Sequence, residues 1–455
     1  MNLPNYFLAD LPADATLTAA MVNDACQTLK RNRETYLAGR STQSRVEILC
    51  AVAENWLRAE YPFRKLALEK GPAATGFSRA TLANGLDNFF KRFTLENFNA
   101  LLLQELGHAR RLDGMVSSDA EEKLSRGAMA RGPEFLAHIT AGNLPNPTLM
   151  SIVLGVLMRS AQFVKCASGA SFVPRLFAHS LYEAEPKLGA CLEIAEWRGG
   201  RADIEKALFE EADCVTATGS DEALAAIRHH VPAHARFFAY GQRLSFGYVT
   251  SEALSSFQAA KTAARAATDV VAWNQLGCLS PHVIYVEHGG ATAAENFAEM
   301  LAEELAKREE TEPRGDVAAE TAATIASRRA FYEVRAAHSP DTRFWRSENS
   351  TAWTVVYEAD ARFQLSCLNR FIYVKGATDL KTALENADAV RGKVSTVGLA
   401  AGEEKMRELA GQLAAWGATR VCPLGQMQNP PLTWRHDGRP ALGDLVTWVD
   451  FEKIN

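Results

Sequence analysis

The chain has 455 residues, of which 47% are apolar and 23% are charged, and its formal net charge is −5. This length and composition predict a globular protein of two or three domains and exclude a disordered tail or a linker. The negative charge, without any lysine- and arginine-rich block, argues against nucleic acid and anionic lipid as partners.

The beginning of the chain, MNLPNYFLADLPADA, has acidic residues where a secretory signal needs a positive segment and then an apolar one. The apolar run from Leu149 to Leu157 is much shorter than the roughly 20 residues that span a bilayer, so we predict no integral membrane segment. Eight cysteines without a secretory signal favour reduced thiols and a cytoplasmic location. With no C-x-x-C pair and no Cys/His spacing typical of zinc, we also predict no metal site.

The stretch from residue 15 to 110 has the apolar periodicity of packed helices, for example Val46, Leu49, Ala53 and Trp56 after the capping residue Ser41. We predict a helical N-terminal part and assign no chemistry to it.

From about residue 130 short strands alternate with helices. Strands are predicted at 138–140, 162–166, 191–196 and 213–217, and helices at 148–160, 175–184 and 201–210. This alternation predicts a parallel, doubly wound sheet, which binds ligands beyond the carboxyl ends of its strands. Two loops fall at such ends, namely AGNLPNP at 141–147 and TGSDE at 218–222.

The second of these loops is a candidate phosphate site. No G-x-G-x-x-G is present, but Thr218-Gly219-Ser220 makes a glycine turn into a helix N-terminus, whose free N–H groups suit a pyrophosphate. Ser220 and Asp221 would equally well cap the helix, and the residues alone slightly favour the cap.

The second half is again α/β. Two strands flank a turn at Gly241 within 237–250, and a helix over 252–273 leads to a cysteine loop. Thr292 and Glu295 form a capping box, residues 308–320 are predicted to be exposed, and the loop 423–440 is predicted to be irregular because it is rich in proline. The predicted domains are 1–250, helical part and cofactor-binding domain; 251–425, catalytic domain; and 426–455, C-terminal loop and strand.

The cysteine loop, WNQLGCLSPH at 273–282, is the candidate catalytic centre. Gly277 lets the backbone come close to a bound group, and Pro281 stops a helix, so the Cys278 thiol is held on a turn. A free cysteine is more often a small buried hydrophobe, and the other seven lie in apolar surroundings and are predicted to be core. Cys278 is therefore the candidate nucleophile.

Four separated motifs then carry a resemblance to a known family. HITAGNLPNP at 138–147, AYGQRLSFGYV at 239–249, GCLSPH at 277–282 and PLGQMQNPPLTWRHDGRP at 423–440 resemble the acyl-CoA reductase family of LuxC type, which is similar in fold to the aldehyde dehydrogenases. The resemblance covers the chain from about residue 25 to its end. It implies a Rossmann-like cofactor domain, a smaller α/β catalytic domain and an acylated-cysteine mechanism that uses a nicotinamide cofactor.

The resemblance assigns roles residue by residue. Cys278 matches the nucleophile, and Asn143 matches an asparagine whose amide helps to form the oxyanion hole. Lys165 matches the lysine that binds the adenosine ribose. The pyrophosphate turn corresponds to Thr218, Gly219 and Ser220, and Gly241 corresponds to the first glycine of a pair.

Two departures from the dehydrogenase pattern shape the expected chemistry. The position of the general-base glutamate holds Ala239 or Tyr240, which weakens hydrolysis of a thioester and suits a reductase. Ser168 stands where a carboxylate would repel a 2′-phosphate, so NADPH is expected, with NADH as the alternative. His282 either takes part in the chemistry, by lowering the thiol pKa or donating a proton, or only caps or orients the loop, and the sequence leaves both roles open.

We therefore predict reduction of a fatty acyl thioester, either acyl-CoA or an acyl carrier, to the aldehyde through an acyl-Cys278 intermediate. A homo-oligomer and acyl-transferring or acyl-activating enzymes are the expected protein partners. Competing classes are a cysteine acyltransferase or thioesterase without a cofactor, an inactive binding subunit of a reductase complex, and a phosphorylating semialdehyde dehydrogenase.

Overall fold

The computed structural model describes residues 3–12, 14–255, 258–288 and 293–452. The chain forms two compact units. The first comprises Met1–Thr75, Leu86–Gly241 and Pro431–Asn455, and the second comprises Gly76–Gly85 and Gln242–Pro430. The boundary between the units thus follows Gly241, whereas the boundary predicted from the sequence follows residue 250. The C-terminal segment belongs to the first unit.

The N-terminal part is helical, as predicted. Thr18, Ser41 and Thr94 each cap a helix by accepting a backbone N–H bond through the side-chain oxygen. The helices are α1 (Ala19–Asn32), α2 (Thr42–Leu57), α3 (Pro62–Thr75), α4 (Arg79–Phe90), α5 (Leu95–Leu106) and α6 (Asp119–Lys123).

The first unit is built on a five-stranded sheet whose neighbouring strands all pair in parallel, in the order β4-β3-β2-β5-β6. Apolar side chains of alternating residues pack against helices on both faces, which is the predicted doubly wound arrangement. The elements are β1 (Arg126–Arg131), β2 (Phe135–Ile139), α7 (Asn146–Leu157), β3 (Ala161–Cys166), α8 (Phe172–Ala184), α9 (Pro186–Gly189), β4 (Leu192–Glu196), α10 (Ala202–Glu210), β5 (Cys214–Thr218), α11 (Asp221–His230) and β6 (Arg236–Tyr240).

The second unit contains a seven-stranded sheet of order β13-β12-β7-β8-β11-β10-β9, in which only the β9–β10 pair is antiparallel. Helices again cover both faces, and β8 is the central strand. The elements are β7 (Leu244–Val249), α12 (Ala259–Val271), β8 (Pro281–Glu287), α13 (Ala293–Thr311), α14 (Ala319–His338), β9 (Thr342–Arg346), β10 (Thr354–Glu358), β11 (Phe371–Ala377), α15 (Leu380–Asn386), β12 (Val394–Ala400), α16 (Glu403–Trp416) and β13 (Arg420–Pro423).

Two sequence predictions differ from the structure. The helix expected over 252–273 begins only at Ala259, because Ser251–Leu254 forms a separate 3-10 turn. Residues 308–320 are not all exposed, because Arg314 is buried. Its guanidinium donates hydrogen bonds to Thr351, and α13 continues to Thr311. Thr292 of the predicted capping box lies outside the described residues.

The last strand, β14 (Thr447–Glu452), pairs antiparallel with β1 as a separate two-stranded sheet in the first unit. All six of its residues are exposed. In the part of the chain that the structure describes, no helix is long and apolar enough to cross a membrane.

Candidate active site

Cys278 lies on a turn directly before β8, in which the Ser280 N–H donates to the Gly277 carbonyl at 2.9 Å. Its side chain is half-buried, whereas six of the other seven cysteines are buried, and none of the eight forms a disulfide within the described residues. Cys367, which the sequence placed in the core, is also only half-buried. The turn therefore presents the thiol at the amino end of the central strand of the second unit.

Polar side chains of neighbouring segments hold this turn. Ser245, at the start of β7, donates its hydroxyl to the Cys278 carbonyl at 2.7 Å, and the Gln428 amide donates to the Ser280 hydroxyl. Asp269, on α12, accepts the N–H groups of Gly425 and Met427, which fixes the loop that carries Gln428. The proline-rich loop after β13 thus braces the cysteine turn within the second unit.

His282 is the second residue of β8 and is 9% exposed. Its Nδ1 accepts the Ser366 N–H at 3.1 Å, and burial lowers its pKa to about 4. A ring that is neutral near pH 7 supplies no positive charge to the thiol. Of the two roles that the sequence left open, this geometry favours orientation of the loop.

Asn143 lies in the loop between β2 and α7 of the first unit, and its side chain is exposed. The neighbouring Gly142 packs closely against the next loop, because a Cβ there would lie 3.2 Å from Ala167 and 3.4 Å from Ala170. The loops that follow β2 and β3 are therefore in contact at the carboxyl edge of the parallel sheet, where this type of fold binds ligands.

Lys165, near the end of β3, is buried, and its Nζ lies 5.8 Å from the centre of the Trp197 ring. Burial lowers its pKa, and the Glu205 carboxylate partly offsets that effect. Lys165 thus lies at the same carboxyl edge as Asn143, with an aromatic ring and an acidic group beside its ammonium.

Ser168 is exposed in the turn between β3 and α8. A carboxylate nevertheless occupies this turn, because Glu196, at the end of β4, accepts the N–H groups of Gly169 at 2.6 Å and Ser171 at 3.2 Å. Arg175, on α8, is not directed to this turn by its hydrogen bond, because it donates to the Ala9 carbonyl at 2.9 Å. These contacts work against the simple expectation that the serine at position 168 leaves room for NADPH.

Thr218 ends β5, Gly219 follows it, and Ser220 caps α11 by accepting the Ala223 N–H at 3.3 Å. The capping role that the residues alone favoured is therefore present. Gly241 follows β6 and lies close to the start of α11, since a Cβ added there would lie 2.7 Å from an Asp221 carboxylate oxygen. This close approach brings the loops after β5 and β6 together at the edge that carries Lys165.

The position expected for a general-base carboxylate was assigned to Ala239 or Tyr240, the last two residues of β6. Tyr240 is in contact with the C-terminal segment. Its ring stacks on His436 with 4.8 Å between ring centres and an angle of 12°, and the Arg439 guanidinium lies 5.6 Å from the Tyr240 ring centre. Burial raises the pKa of Tyr240 to about 12, so its hydroxyl stays protonated near neutral pH.

A family model for acyl-CoA reductases (LuxC) matches residues 37–448, which is most of the chain. This chain belongs to the acyl-CoA reductase (LuxC) family.

Curated relatives carry a matching name. A long-chain acyl-protein thioester reductase from Photobacterium leiognathi is 24% identical over 323 residues, which are 70% of this chain and 63% of that protein. A long-chain acyl-protein thioester reductase from Photorhabdus laumondii subsp. laumondii is 22% identical over 416 residues, 90% of this chain and 82% of that protein. The match to the Photobacterium reductase thus spans a little under two thirds of its length.

Solved structures of aldehyde dehydrogenases share the fold. A NAD-dependent benzaldehyde dehydrogenase from Corynebacterium glutamicum superposes with a TM-score of 0.68 at 14% identity, covering 98% of this chain and 94% of that one. The glyceraldehyde-3-phosphate dehydrogenase GapN from Methanocaldococcus jannaschii, complexed with NADP, gives 0.65 at 14% identity and covers 99% of both chains. The predicted aldehyde dehydrogenase-like fold class is confirmed.

Several residues around the cysteine turn were not singled out from the sequence. Asn274 and Gln275 were noted only as part of the loop, and nothing in the sequence indicated Arg370 and Glu309 there or Glu196 in the first unit. Polar side chains are mostly exposed, so residue type alone gives no signal, and only the fold shows the burial of Arg370 and the contacts of the two glutamates.

Proposed function

We propose that this protein reduces a fatty acyl thioester to the aldehyde through an acyl-Cys278 intermediate. The observation that carries the proposal is the presentation of Cys278, whose half-buried thiol, outside any disulfide, lies on a braced turn at the amino end of the central strand. The membership of this chain in the acyl-CoA reductase family supports the reaction type, and the names of its relatives support a long-chain acyl group.

The first half-reaction is acyl transfer to the cysteine. The Cys278 sulfur forms a bond to the thioester carbonyl carbon, and the bond from that carbon to the sulfur of the carrier breaks. The carrier leaves as a thiol, which takes up the proton that Cys278 lost. With Ala239 or Tyr240 in place of a general-base carboxylate, water is poorly activated against the new thioester, which preserves it for reduction.

Two N–H donors are proposed for the oxyanion of this step, the side-chain amide of Asn143 and the backbone N–H of Cys278. Loss of one such donor costs about 10²–10³ in rate in other enzymes. His282 is assigned a positioning role for the turn, in keeping with its neutral ring and its bond to Ser366.

The residues proposed for the cofactor are Lys165, Ser168, Thr218–Ser220 and Gly241, which share the carboxyl edge of the parallel sheet in the first unit. Such an edge, with a helix N-terminus at α11 and glycine-mediated approach of loops, fits a dinucleotide. When bound, reduced nicotinamide supplies the hydride that converts the acyl group to the aldehyde. NADPH is the proposed reductant and NADH the alternative, with Glu196 as the side chain that opposes a 2′-phosphate.

A homo-oligomer is proposed through β14, whose outer edge has no partner strand within the described residues and whose Phe451 is 48% exposed. The proposed donors are acyl-CoA or an acyl carrier, and acyl-transferring or acyl-activating enzymes are the proposed protein partners. A cytoplasmic location is proposed because a thiol nucleophile needs a reducing compartment.

Absorbance of the reduced nicotinamide tests the proposal. The protein is mixed with a long-chain acyl-CoA and either NADPH or NADH, beside a Cys278→Ala variant. Oxidation of the nicotinamide that requires Cys278 and yields one aldehyde per nicotinamide is the expected result. Acyl-CoA cleavage without nicotinamide oxidation would instead establish an acyltransferase or thioesterase.

A further inference from the structure

The backbone leading to Cys278 adopts an unfavourable conformation. Trp273, Asn274 and Gln275 have φ values of 51°, 52° and 64°, so three consecutive residues with side chains are left-handed. Such a conformation costs an L-residue roughly 1–2 kcal/mol, and it persists only where surrounding contacts enforce it. We call residues 273–275 the nucleophile turn.

A second turn of the same kind precedes the neighbouring strand. Leu368, Asn369 and Arg370 have φ values of 57°, 55° and 65°, and β11 begins at Phe371. Because β8 and β11 are parallel neighbours in the second unit, their preceding segments meet at the amino edge of the sheet. We call residues 368–370 the bracing turn.

Buried side chains join the two turns. Arg370 is fully buried, and its Nε donates to the Asn274 Oδ1 at 3.1 Å, while the Asn274 amide donates to the Arg314 carbonyl at 2.7 Å. Gln275 donates to the Pro281 carbonyl at 2.6 Å and to the Phe371 carbonyl at 3.0 Å. Each amide of the nucleophile turn is thus tied to a fixed neighbour.

The Arg370 guanidinium is itself anchored at the end of α13. Its Nη1 donates to the Glu309 carboxylate at 2.9 Å and to the Glu312 carbonyl at 2.8 Å. Glu309 also accepts the Arg314 N–H at 3.2 Å from each oxygen, so one carboxylate links Arg370 to the segment that Asn274 contacts. Breaking such a buried, charged network by removing one donor is costly, because its partners are left without bonds.

We propose that Arg370 is a positioning residue for the Cys278 nucleophile. It acts through Asn274, by holding the nucleophile turn in its left-handed conformation. Relaxation of that turn moves Cys278, three residues further on, and with it the thiol and the backbone N–H that face an acyl group. The proposal rests on the proposed function for its consequence in acyl transfer, but the bracing itself belongs to the turn and is measured without substrate.

Arg370→Lys is the test variant, because lysine keeps the charge opposite Glu309 but lacks the fixed fork that also reaches Asn274. Arg329→Lys is the matched control. Arg329 is equally a buried arginine of the second unit, and its hydrogen bonds go to Ser347, Ser350, Trp353 and Thr354 rather than to either turn. Asn274→Leu removes the other partner and serves if Arg370→Lys does not fold.

Three readouts are compared in the full-length protein. Hydrogen exchange of peptides covering residues 272–281 reports how firmly the nucleophile turn is held. Iodoacetamide labelling of Cys278, mapped by mass spectrometry, reports the accessibility of the thiol. Adduct formation with a long-chain acyl-CoA reports the orientation of the thiol toward an acyl group. In Arg370→Lys we expect faster hydrogen exchange in those peptides and iodoacetamide labelling at the wild-type rate or faster. We expect acyl transfer to be slower by about ten-fold or more, because a small misplacement of a nucleophile lowers the reaction rate strongly. Arg329→Lys should show none of these changes at a comparable loss of melting temperature.

Equal exchange in the two arginine variants would overturn the proposal. So would labelling and acyl transfer that fall together in proportion to unfolding, or effects of Arg370→Lys and Asn274→Leu that simply add in the double variant, because a shared bond can be lost only once. If the wild-type protein forms no acyl adduct, the proposed function fails, and hydrogen exchange still decides whether Arg370 holds the turn.

Discussion

At the scale of single residues, two histidines have structural roles as buried, uncharged rings. His282 and His138 are both buried, and burial lowers the pKa of each to about 4. His282 accepts the N–H of Ser366, and His138 lies 2.7 Å from the Thr216 hydroxyl. Their uncharged rings are components of the two cores, and their protonation opposes folding.

His282→Asn tests this assignment through stability. The folded pKa is depressed below the unfolded value of about 6.5, so the stabilising contribution is complete above pH 6.5 and is lost as the pH falls toward about 4. In that window wild-type stability should lose about 1.4 kcal/mol per pH unit to His282 alone, a loss that the variant lacks.

The measurement is the free energy of unfolding of both proteins by denaturant at several pH values between 4 and 7. Burial raises the pKa of Glu193 to about 8 and that of Asp269 to about 7, which stabilises the fold on acidification and opposes the histidines. The difference between the two proteins isolates His282, and curves that stay parallel over this range would refute a buried neutral ring.

Glu196→Gln tests the carboxylate beside the proposed ribose site. Glutamine keeps an acceptor for the Gly169 N–H and removes the negative charge, so binding of NADPH should improve relative to NADH by roughly ten-fold. Nicotinamide fluorescence gives both dissociation constants, with Glu210→Gln, an exposed residue of α10, as the control. An unchanged ratio would place the 2′-phosphate elsewhere.

At the scale of elements, the nucleophile turn is held by close contacts with segments of the second unit that are distant in sequence. Trp273 packs on α4, where a Cβ added to Gly85 would lie 2.0 Å from the indole ring, and Phe77 meets the same ring edge-on at 5.1 Å. Glycine at position 85 is therefore required by packing and not by backbone conformation.

Gly85→Ala should for this reason destabilise the protein by about 1–3 kcal/mol, although alanine is the better helix former. Gly411→Ala, in α16 with nothing near its Cβ, is the matched control and should stabilise by about 0.5–1 kcal/mol. Thermal unfolding of both variants distinguishes these signs. A stable Gly85→Ala protein would mean that the indole ring moves freely, contrary to a fixed turn.

Local pattern predicted the elements better than it predicted their contacts. The strand–helix alternation and the turn at Cys278 followed from glycine, proline and apolar periodicity within short windows. The helix α14 and the strand β9 were missed, because the alanine-rich run and the sequence TRFWR lack a clear apolar period. The pairing of Arg370 with Asn274 spans 96 residues, and no local pattern encodes a bond at that separation.

At the scale of the whole molecule, the proposed catalytic residues come from both units, Asn143 from the first and Cys278 and His282 from the second. Family motifs predicted these residues from the sequence, whereas the assignment of residues 431–455 to the first unit did not follow from chain order. Long-range strand pairing between β1 and β14 produces that assignment, and it also leaves β14 with an exposed outer edge.

This strand predicts how the protein assembles. Val449 and Phe451 lie on one face of β14 and are 36% and 48% exposed, while Asp450 points to the other face. A double Val449→Lys/Phe451→Lys variant should reduce the molar mass in solution, since charges at a β edge prevent pairing. Light scattering after gel filtration measures this, with Asp450→Asn as the control, and a monomeric wild-type protein would exclude the strand as a contact.

The central claim is that Cys278 carries the acyl group, and intact mass spectrometry tests it most directly. The protein is mixed with a long-chain acyl-CoA in the absence of nicotinamide, and the mass is compared with that of Cys278→Ala. We predict one added acyl group on the wild-type protein, mapped to Cys278, that reduced nicotinamide then removes as aldehyde. An unmodified wild-type protein, or an adduct that persists in Cys278→Ala, would contradict the account.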